Sequence, residues 1–259
     1  AGLYGEGITT VIENGISRDH TERMLRGFGY DVTSSNNRIS LLGGGSLKGC
    51  DIEVPSDISS AAFFMVAGCI SKDSSITLNS VNINPTRTGV IDILKLMGGN
   101  IELLNQRLQA GELIADIKVS SSKLKGIEIP ENLVPLAIDE FPVLFIAASC
   151  ADGETVLTGA KELRVKESDR IQVMADGLTS LGIENHVLED GIRILGGEFT
   201  RQASSIKSHH DHRISMAFAI ASVRSKFDIE IEGVDNVKTS FPNFVELANS
   251  IGMSIKQVG

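Results

Sequence analysis

Three observations predict an inside-out α/β fold, a barrel or prism of repeated βαβαββ units with buried helices and outer sheets. Two kinds of helical segment alternate along the chain. One kind is apolar nearly all round: the runs Ser59–Ile70, Asp139–Cys150 and Asp211–Val223. A helix without a polar face is buried, whereas the other kind carries an apolar stripe on one side and belongs further out. Each helix of the second kind closes on an apolar residue and a glycine before an extended run, at Phe28-Gly29, Met97-Gly98, Leu181-Gly182 and Ile251-Gly252, roughly 70–84 residues apart. Each apolar helix opens on an aspartate, Asp57, Asp139 or Asp211, a residue suited to accept from free helix-start amides.

Taken in order, Ile8–Ile12 is a β-branched run and reads as a strand. Asp19 with Glu22 three residues on resembles a capping box, and Met24, Leu25 and Phe28 give the following helix its apolar face. Strands are expected from Tyr30, over Arg38–Leu42 and over Asp51–Val54, the last stopped by Pro55. Asp57 then caps the first apolar helix. Ser75–Leu78 is a strand, Pro85-Thr86-Arg87-Thr88 opens a helix through Met97, and strands follow at Asn100–Leu104 and Leu113–Val119. The same order recurs with a short extended Ile127–Ile129, the Asp139 helix, strand Glu154–Leu157, and an amphipathic helix carrying Ile171, Val173, Met174, Leu178 and Leu181. Strands Glu184–Leu188 and Ile192–Leu195 complete it. The last recurrence has the Asp211 helix, strand Phe227–Ile231, a helix opened by Thr239-Ser240-Phe241-Pro242, and strand Met253–Gln257. The first fifty or so residues carry only the back half of such a unit, and Ala1-Gly2-Leu3 reads as the tail of a helix. A piece of a longer protein is therefore expected. Residues 1–52 form an incomplete remnant of a first domain, and 53–259 a second domain of three repeats, about 53–122, 123–204 and 205–259.

Composition narrows the function. The chain has 259 residues, 42% of them hydrophobic, and a net charge of −9. An acidic chain with no basic tail, no Trp and 5% aromatic residues argues against a nucleic-acid partner. Any anionic ligand must be held locally by Arg and Lys against the overall field. No signal-peptide pattern and no apolar run of bilayer length is read, so no membrane is implied and the expected location is cytoplasmic. Cys50, Cys69 and Cys150 are widely spaced, and the latter two lie in apolar runs as core thiols of a reducing compartment.

The densest chemistry lies at Leu163–Ile171, where Arg164, Lys166, Glu167, Asp169 and Arg170 run into a helix. Lys166, Glu167 and Arg170 are expected at or just inside the helix start, where free amides and the dipole favour an anion. Spacing leaves two readings open: a solvated helix end, or a phosphate site with a proton carrier, Glu167, beside it. Asp139 reads either as a helix cap, like Asp57 and Asp211, or as a base kept ionised by nearby cations. Ser208-His209-His210-Asp211-His212-Arg213 holds three His and one Asp, yet a helix start disperses neighbouring side chains. An anion-facing Arg213 is expected there rather than a metal site.

These stretches resemble the enolpyruvyl transferase family, on the branch that acts on shikimate 3-phosphate. The residues that carry the resemblance are SRDHTERML at 17–25, VPSDISSAAFF at 54–64, NPTRTG at 84–89, IDEFPVL at 138–144, LRVKESDRI at 163–171, DHRISMAF at 211–218 and TSFPNF at 239–244. They run through the whole chain in family order. The resemblance implies transfer of the enolpyruvyl group of phosphoenolpyruvate to the 5-hydroxyl of shikimate 3-phosphate, releasing phosphate, without metal or organic cofactor. It implies Asp139 as the proton acceptor and a contact of shikimate 3-phosphate, Lys166 as a contact of the same substrate and a proton donor, and Glu167 as the group handling the methylene proton. Arg170 and Arg213, with His212 beside them, match phosphoenolpyruvate contacts. Ser17 and Arg18 match a helix start near the shikimate phosphate. The family's N-terminal Lys-Ser…Arg motif, glycine-rich loop and Ser-Ala-Gln motif do not occur here. The implied partner is thus the missing N-terminal half of the same protein, and the whole is expected to be a monomer. Two other readings stand beside this one: the related branch acting on UDP-N-acetylglucosamine, and a non-catalytic phosphate-binding module on the same fold.

Overall fold

Three apolar helices, α2 (Ile58–Ile70), α4 (Phe141–Ser149) and α6 (His212–Ala221), lie against one another at the centre of the molecule. The computed structural model describes residues 1–15, 17–203 and 205–258. All nine residues of α4 and all but one of α2 are buried. Burying a large apolar side chain contributes roughly 1.5–3 kcal/mol, so such helices are stable only inside.

Sheets cover the outside. Strands β4 (Ser75–Asn82), β5 (Asn100–Gln109) and β6 (Glu112–Ser120) form an antiparallel sheet of order β4-β6-β5. Strands β7 (Glu154–Leu157), β8 (Asn185–Val187) and β9 (Ile192–Leu195) repeat it as β7-β9-β8. The third repeat keeps a parallel pair, β10 (Ile206–Lys207) with β11 (Ile231–Glu232). The amphipathic helices α3 (Gly89–Leu96) and α5 (Arg170–Ser180) both pack on α4. Phe241 and Phe244 of the last repeat meet Phe63 and Phe64 of α2 with ring centroids 5.9–6.0 Å apart, closing the circle of repeats. The repeat glycines Gly29, Gly98, Gly182 and Gly252 all have positive φ, between 74° and 99°, as a left-handed helix end requires.

The N-terminal residues form a separate antiparallel sheet of order β1-β3-β2, from β1 (Ile8–Ile12), β2 (Val32–Ser35) and β3 (Arg38–Leu42), with helix α1 (His20–Gly27). Helix α1 reaches the second sheet through polar contacts: Asn84 donates to Asp19 at 2.7 Å, and His20 Nδ1 lies 2.6 Å from Glu112.

Several expectations are corrected. Asp51–Val54 forms no strand; these residues cross between units and are exposed, and only Ser56 beyond them bridges to Val81. Met253–Gln257 joins no ladder among the described residues, because the Asn249 side chain takes both the N–H and the C=O of Ile255. Phe227–Ile231 shrinks to the two-residue β11, and its partner β10 was not anticipated. The last helix is broken into α7 (Val237–Ser240) and α8 (Phe244–Ser250), as the missing N–H and fixed φ of Pro242 dictate. Residues 85–88 form a turn held by the Asn84 side chain, which accepts from Thr86, so α3 starts only at Gly89. Asp19 does not cap α1 with its side chain; its carboxylate pairs with Arg23 and Asn84 instead.

Candidate active site

The starts of the inner helices and of α5 converge on Asp139. Asp57 accepts from Ser59 and Ser60 amides and Asp211 from the Arg213 amide, as caps should. Asp139 does not cap α4. Glu140 holds the cap position without a cap bond, and Pro142 in the first turn leaves one fewer amide to satisfy. The Asp139 carboxylate is thereby released toward a cluster of cations. It pairs with Arg18 from the N-terminal unit, lies 3.4 Å from Lys166 Nζ and 3.6 Å from Arg170 Nη1. Its backbone carbonyl accepts from Arg213 Nη1 at 3.0 Å. Burial alone raises the Asp139 carboxyl pKa. The Arg18 hydrogen bond and the charges of Arg213, Lys166 and Arg18 outweigh it and hold the group well below the carboxylate range.

Arg170 is the first residue of α5, and its side chain is only 1% exposed. Asp211, fully buried, accepts from its Nε at 2.8 Å, and Glu167 accepts from its Nη2 at 2.6 Å. Nη1 makes no hydrogen bond among the described residues and lies beside Asp139. A buried donor of this kind is costly to leave unmade, about 1–3 kcal/mol, and its direction marks where an anionic oxygen fits. Asp211 also accepts from Ser168 at 3.0 Å, so one carboxylate caps α6 and clamps the start of α5. Burial raises the Asp211 pKa, but the Arg170 hydrogen bond and charge carry it below the ordinary range.

Helix α5 begins later than expected. Asp169 caps it by accepting from the Gln172 amide, and a 3-10 turn over Lys161–Val165 precedes it. Lys166 and Glu167 therefore stand in the connection before the helix. Lys166 reaches Asp139 and Glu162, while Glu167 is half exposed and contacts Arg170. His212 is half-buried at the start of α6, and its pKa is lowered by burial and by the Arg213 charge. Ser17 is exposed and donates to Glu13; it is not among the side chains that meet Asp139. Among the described residues, no group of three His, Cys, Asp or Glu converges to hold a metal ion, and Asp211 is spent on α6 and Arg170.

The residues not singled out in advance are Glu140, Ser59 and Arg87. Glu140 is buried beside Asp139 and accepts from Ser59 at 2.5 Å; Arg213 lies 3.6 Å away and Arg87 3.8 Å. The only local signal was a second carboxylate next to Asp139.

The inside-out α/β fold, with its helix starts gathered on Asp139, is that of the enolpyruvyl transferase class. A solved structure described as the enolpyruvyl transferase NikO from Streptomyces tendae superposes with a TM-score of 0.80 over 99% of this chain and 58% of that one, at 18% identity, which speaks to the fold alone. The family model for EPSP synthase (3-phosphoshikimate 1-carboxyvinyltransferase) matches residues 1–247, and the chain belongs to that family. It is 66% identical over its whole length to a 3-phosphoshikimate 1-carboxyvinyltransferase of Vesicomyosocius okutanii, and 67% identical to one of Ruthia magnifica. The solved EPSP synthase of Acinetobacter baumannii superposes with a TM-score of 0.95 over 98% of the chain, at 58% identity. The chain spans 59% of the length of each of these relatives.

Proposed function

We propose that this chain, joined to the further length its relatives have, transfers the enolpyruvyl group of phosphoenolpyruvate to the 5-hydroxyl of shikimate 3-phosphate. The observation that carries this reading is the buried Arg170 Nη1, an unspent donor beside an ionised Asp139. Asp139 takes the proton from the 5-hydroxyl as that oxygen adds to C2 of phosphoenolpyruvate. In the same addition C3 takes up a proton from Glu167, half exposed and hydrogen-bonded to Arg170, and becomes a methyl group. As phosphate leaves C2, Lys166 protonates the departing oxygen and Glu167 takes a proton back from C3, which restores the double bond. Arg170 and Arg213, with His212 beside them, grip phosphoenolpyruvate. Arg18, and Ser17 next to it, face the phosphate of the shikimate substrate. Differential stabilisation of the charge that develops on the adduct is the work of these fixed cations.

The named relatives support the shikimate substrate over UDP-N-acetylglucosamine. A scaffold has no use for a carboxylate pinned among four cations, which disfavours a merely binding role. Residues 1–52 belong to a first domain whose remaining length contributes the other half of the cleft, and 53–259 form the second domain. The whole protein is a cytoplasmic monomer with two small anionic substrates. The reducing compartment fits Cys69 and Cys150, whose thiols burial pushes up to about 11, and among the described residues no helix is long and apolar enough to cross a membrane. Phosphate release from the two substrates tests this. The full-length protein is expected to turn over and the isolated chain is not. No turnover by the full-length protein overturns the assignment; normal turnover by the isolated chain overturns the shared cleft.

A further inference from the structure

Consecutive residues at the start of α4 differ in their company. The Asp139 side chain, 14% exposed, lies among Arg18, Lys166 and Arg170, while that of Glu140 is only 1% exposed and lies apart from those three. A buried carboxylate is tolerated only with partners. Helix capping does not explain this one, because Glu140 makes no cap bond. Its partners come from three other elements. Ser59, at the start of α2, donates to Oε1 at 2.5 Å. Arg87, in the turn before α3, donates to Ser59 Oγ at 2.5 Å and lies 3.8 Å from Glu140 Oε1. Arg213, at the start of α6, lies 3.6 Å from the same oxygen. Among the described residues Arg213 makes one side-chain hydrogen bond, from Nη1 to the Asp139 carbonyl. Glu140 Oε1 faces the same Nη1, so the Asp139 carbonyl and the Glu140 carboxylate hold one corner of the guanidinium between them, and Nε and Nη2 make no hydrogen bond among the described residues.

We propose that Glu140 is a positioning residue: it sets the Arg213 guanidinium for the anionic group of phosphoenolpyruvate, and Ser59 and Arg87 hold Glu140 in place. This rests on the enolpyruvyl transfer reading and goes beyond it, assigning a function to three side chains that touch no substrate. The chain Arg87–Ser59–Glu140–Arg213 ties the starts of α2, α4 and α6 to the turn that leads into α3. The orientation of one cleft arginine therefore depends on all of those elements being docked.

Steady-state kinetics on the full-length protein carrying Glu140→Gln test it. Glutamine keeps the volume and an acceptor for Ser59 but removes the charge. The expected result is a rise of about ten-fold or more in KM for phosphoenolpyruvate, with KM for shikimate 3-phosphate within about two-fold of the parent and kcat less affected than KM. A merely structural role gives a lower melting temperature with no such split; that outcome, or equal rises in both KM values, overturns the proposal. If Glu140→Gln does not accumulate as folded protein, Ser59→Ala decides by the same split, with a smaller rise expected in the same direction and its absence overturning the idea. An inactive parent protein sinks the reaction itself, whereas an active parent with an unsplit variant sinks only the part given to Glu140.

Discussion

Asp139 is held by more positive charge than a free general base needs. Arg18, Lys166 and Arg170 all neighbour its carboxylate, and burial does not offset them. Such a group binds a proton weakly, so part of this cationic company must turn to the substrates for Asp139 to act. Arg18 is the natural candidate, since it is 44% exposed and comes from the N-terminal unit. Arg18→Gln in the full-length protein is expected to raise KM for shikimate 3-phosphate about ten-fold or more, because a charged hydrogen bond to phosphate is lost. Asp139→Asn is expected to lower kcat by roughly 10²–10⁴ with little change in either KM, the usual range for a removed general base. Steady-state kinetics check both. The pH dependence of stability follows from the same groups. Asp139 and Asp211 have depressed folded-state pKa values, so each stabilises the fold above its unfolded value and loses that contribution as pH falls through the folded one. Chemical denaturation from about pH 5 downward should show steadily falling stability, and a flatter decline for Asp139→Asn. At this scale the local pattern of charges marked Asp139, Lys166, Arg170 and Arg213, and the fold brings the four together, although Asp139 is no cap and Lys166 stands before α5. Which of two readings each carries was not legible in spacing, and Glu140 was not marked at all, because its hydrogen-bond partner Ser59 is 81 positions away in the chain.

Elements were legible where pattern and packing agree. The three apolar helices declare burial in their composition, and the glycines that close the outer helices all take positive φ. Misreadings fell where a ladder needs a neighbour that local sequence does not describe, as at Asp51–Val54, or where a side chain replaces one, as Asn249 does for Ile255. Two substitutions probe how the helices are held together. Gly177 sits inside α5, where alanine ordinarily stabilises by about 1 kcal/mol. Here a Cβ would lie 2.2 Å from the Phe218 ring of α6. Gly177→Ala is therefore expected to destabilise, by roughly 1–3 kcal/mol, as overpacking does, and thermal unfolding reads the sign directly. Asp211→Asn strands the buried Arg170 without its main counter-charge while leaving a competent cap. The loss expected is about 3–5 kcal/mol, far above the ~1 kcal/mol of a cap alone. Asp57→Ala removes an exposed cap whose only ionic neighbour among the described residues, Arg87, lies 3.9 Å away and keeps Ser59 as a partner; it is the comparison and should cost about 1 kcal/mol. Equal losses at the two caps would mean that Asp211 does nothing for α5.

At the scale of the whole molecule, the N-terminal sheet is less well covered than the sheets of the repeats. The three repeats bury a continuous core, but every residue of β1 is exposed. Ile8, Ile12 and Leu42 stand on one face of the β1-β3-β2 sheet, with Ile8 directly opposite Leu42, and Tyr4 is 95% exposed nearby. An apolar sheet face open to water favours association, because a covering surface removes it from solvent at roughly 25 cal/mol per Å². The proposed first domain supplies that cover in the full-length protein. The isolated chain should then bind an apolar fluorescent dye and self-associate at micromolar concentration, while the full-length protein does neither. Replacing Ile8 and Leu42 by threonine keeps β-propensity in the ladder and should abolish both effects in the isolated chain without altering its melting temperature by more than a few degrees. If the unmodified chain instead sediments as a monomer and leaves the dye dark, this face needs no partner, and the N-terminal sheet must be stable on its own hydrogen bonds and its polar contacts to Asn84 and Glu112.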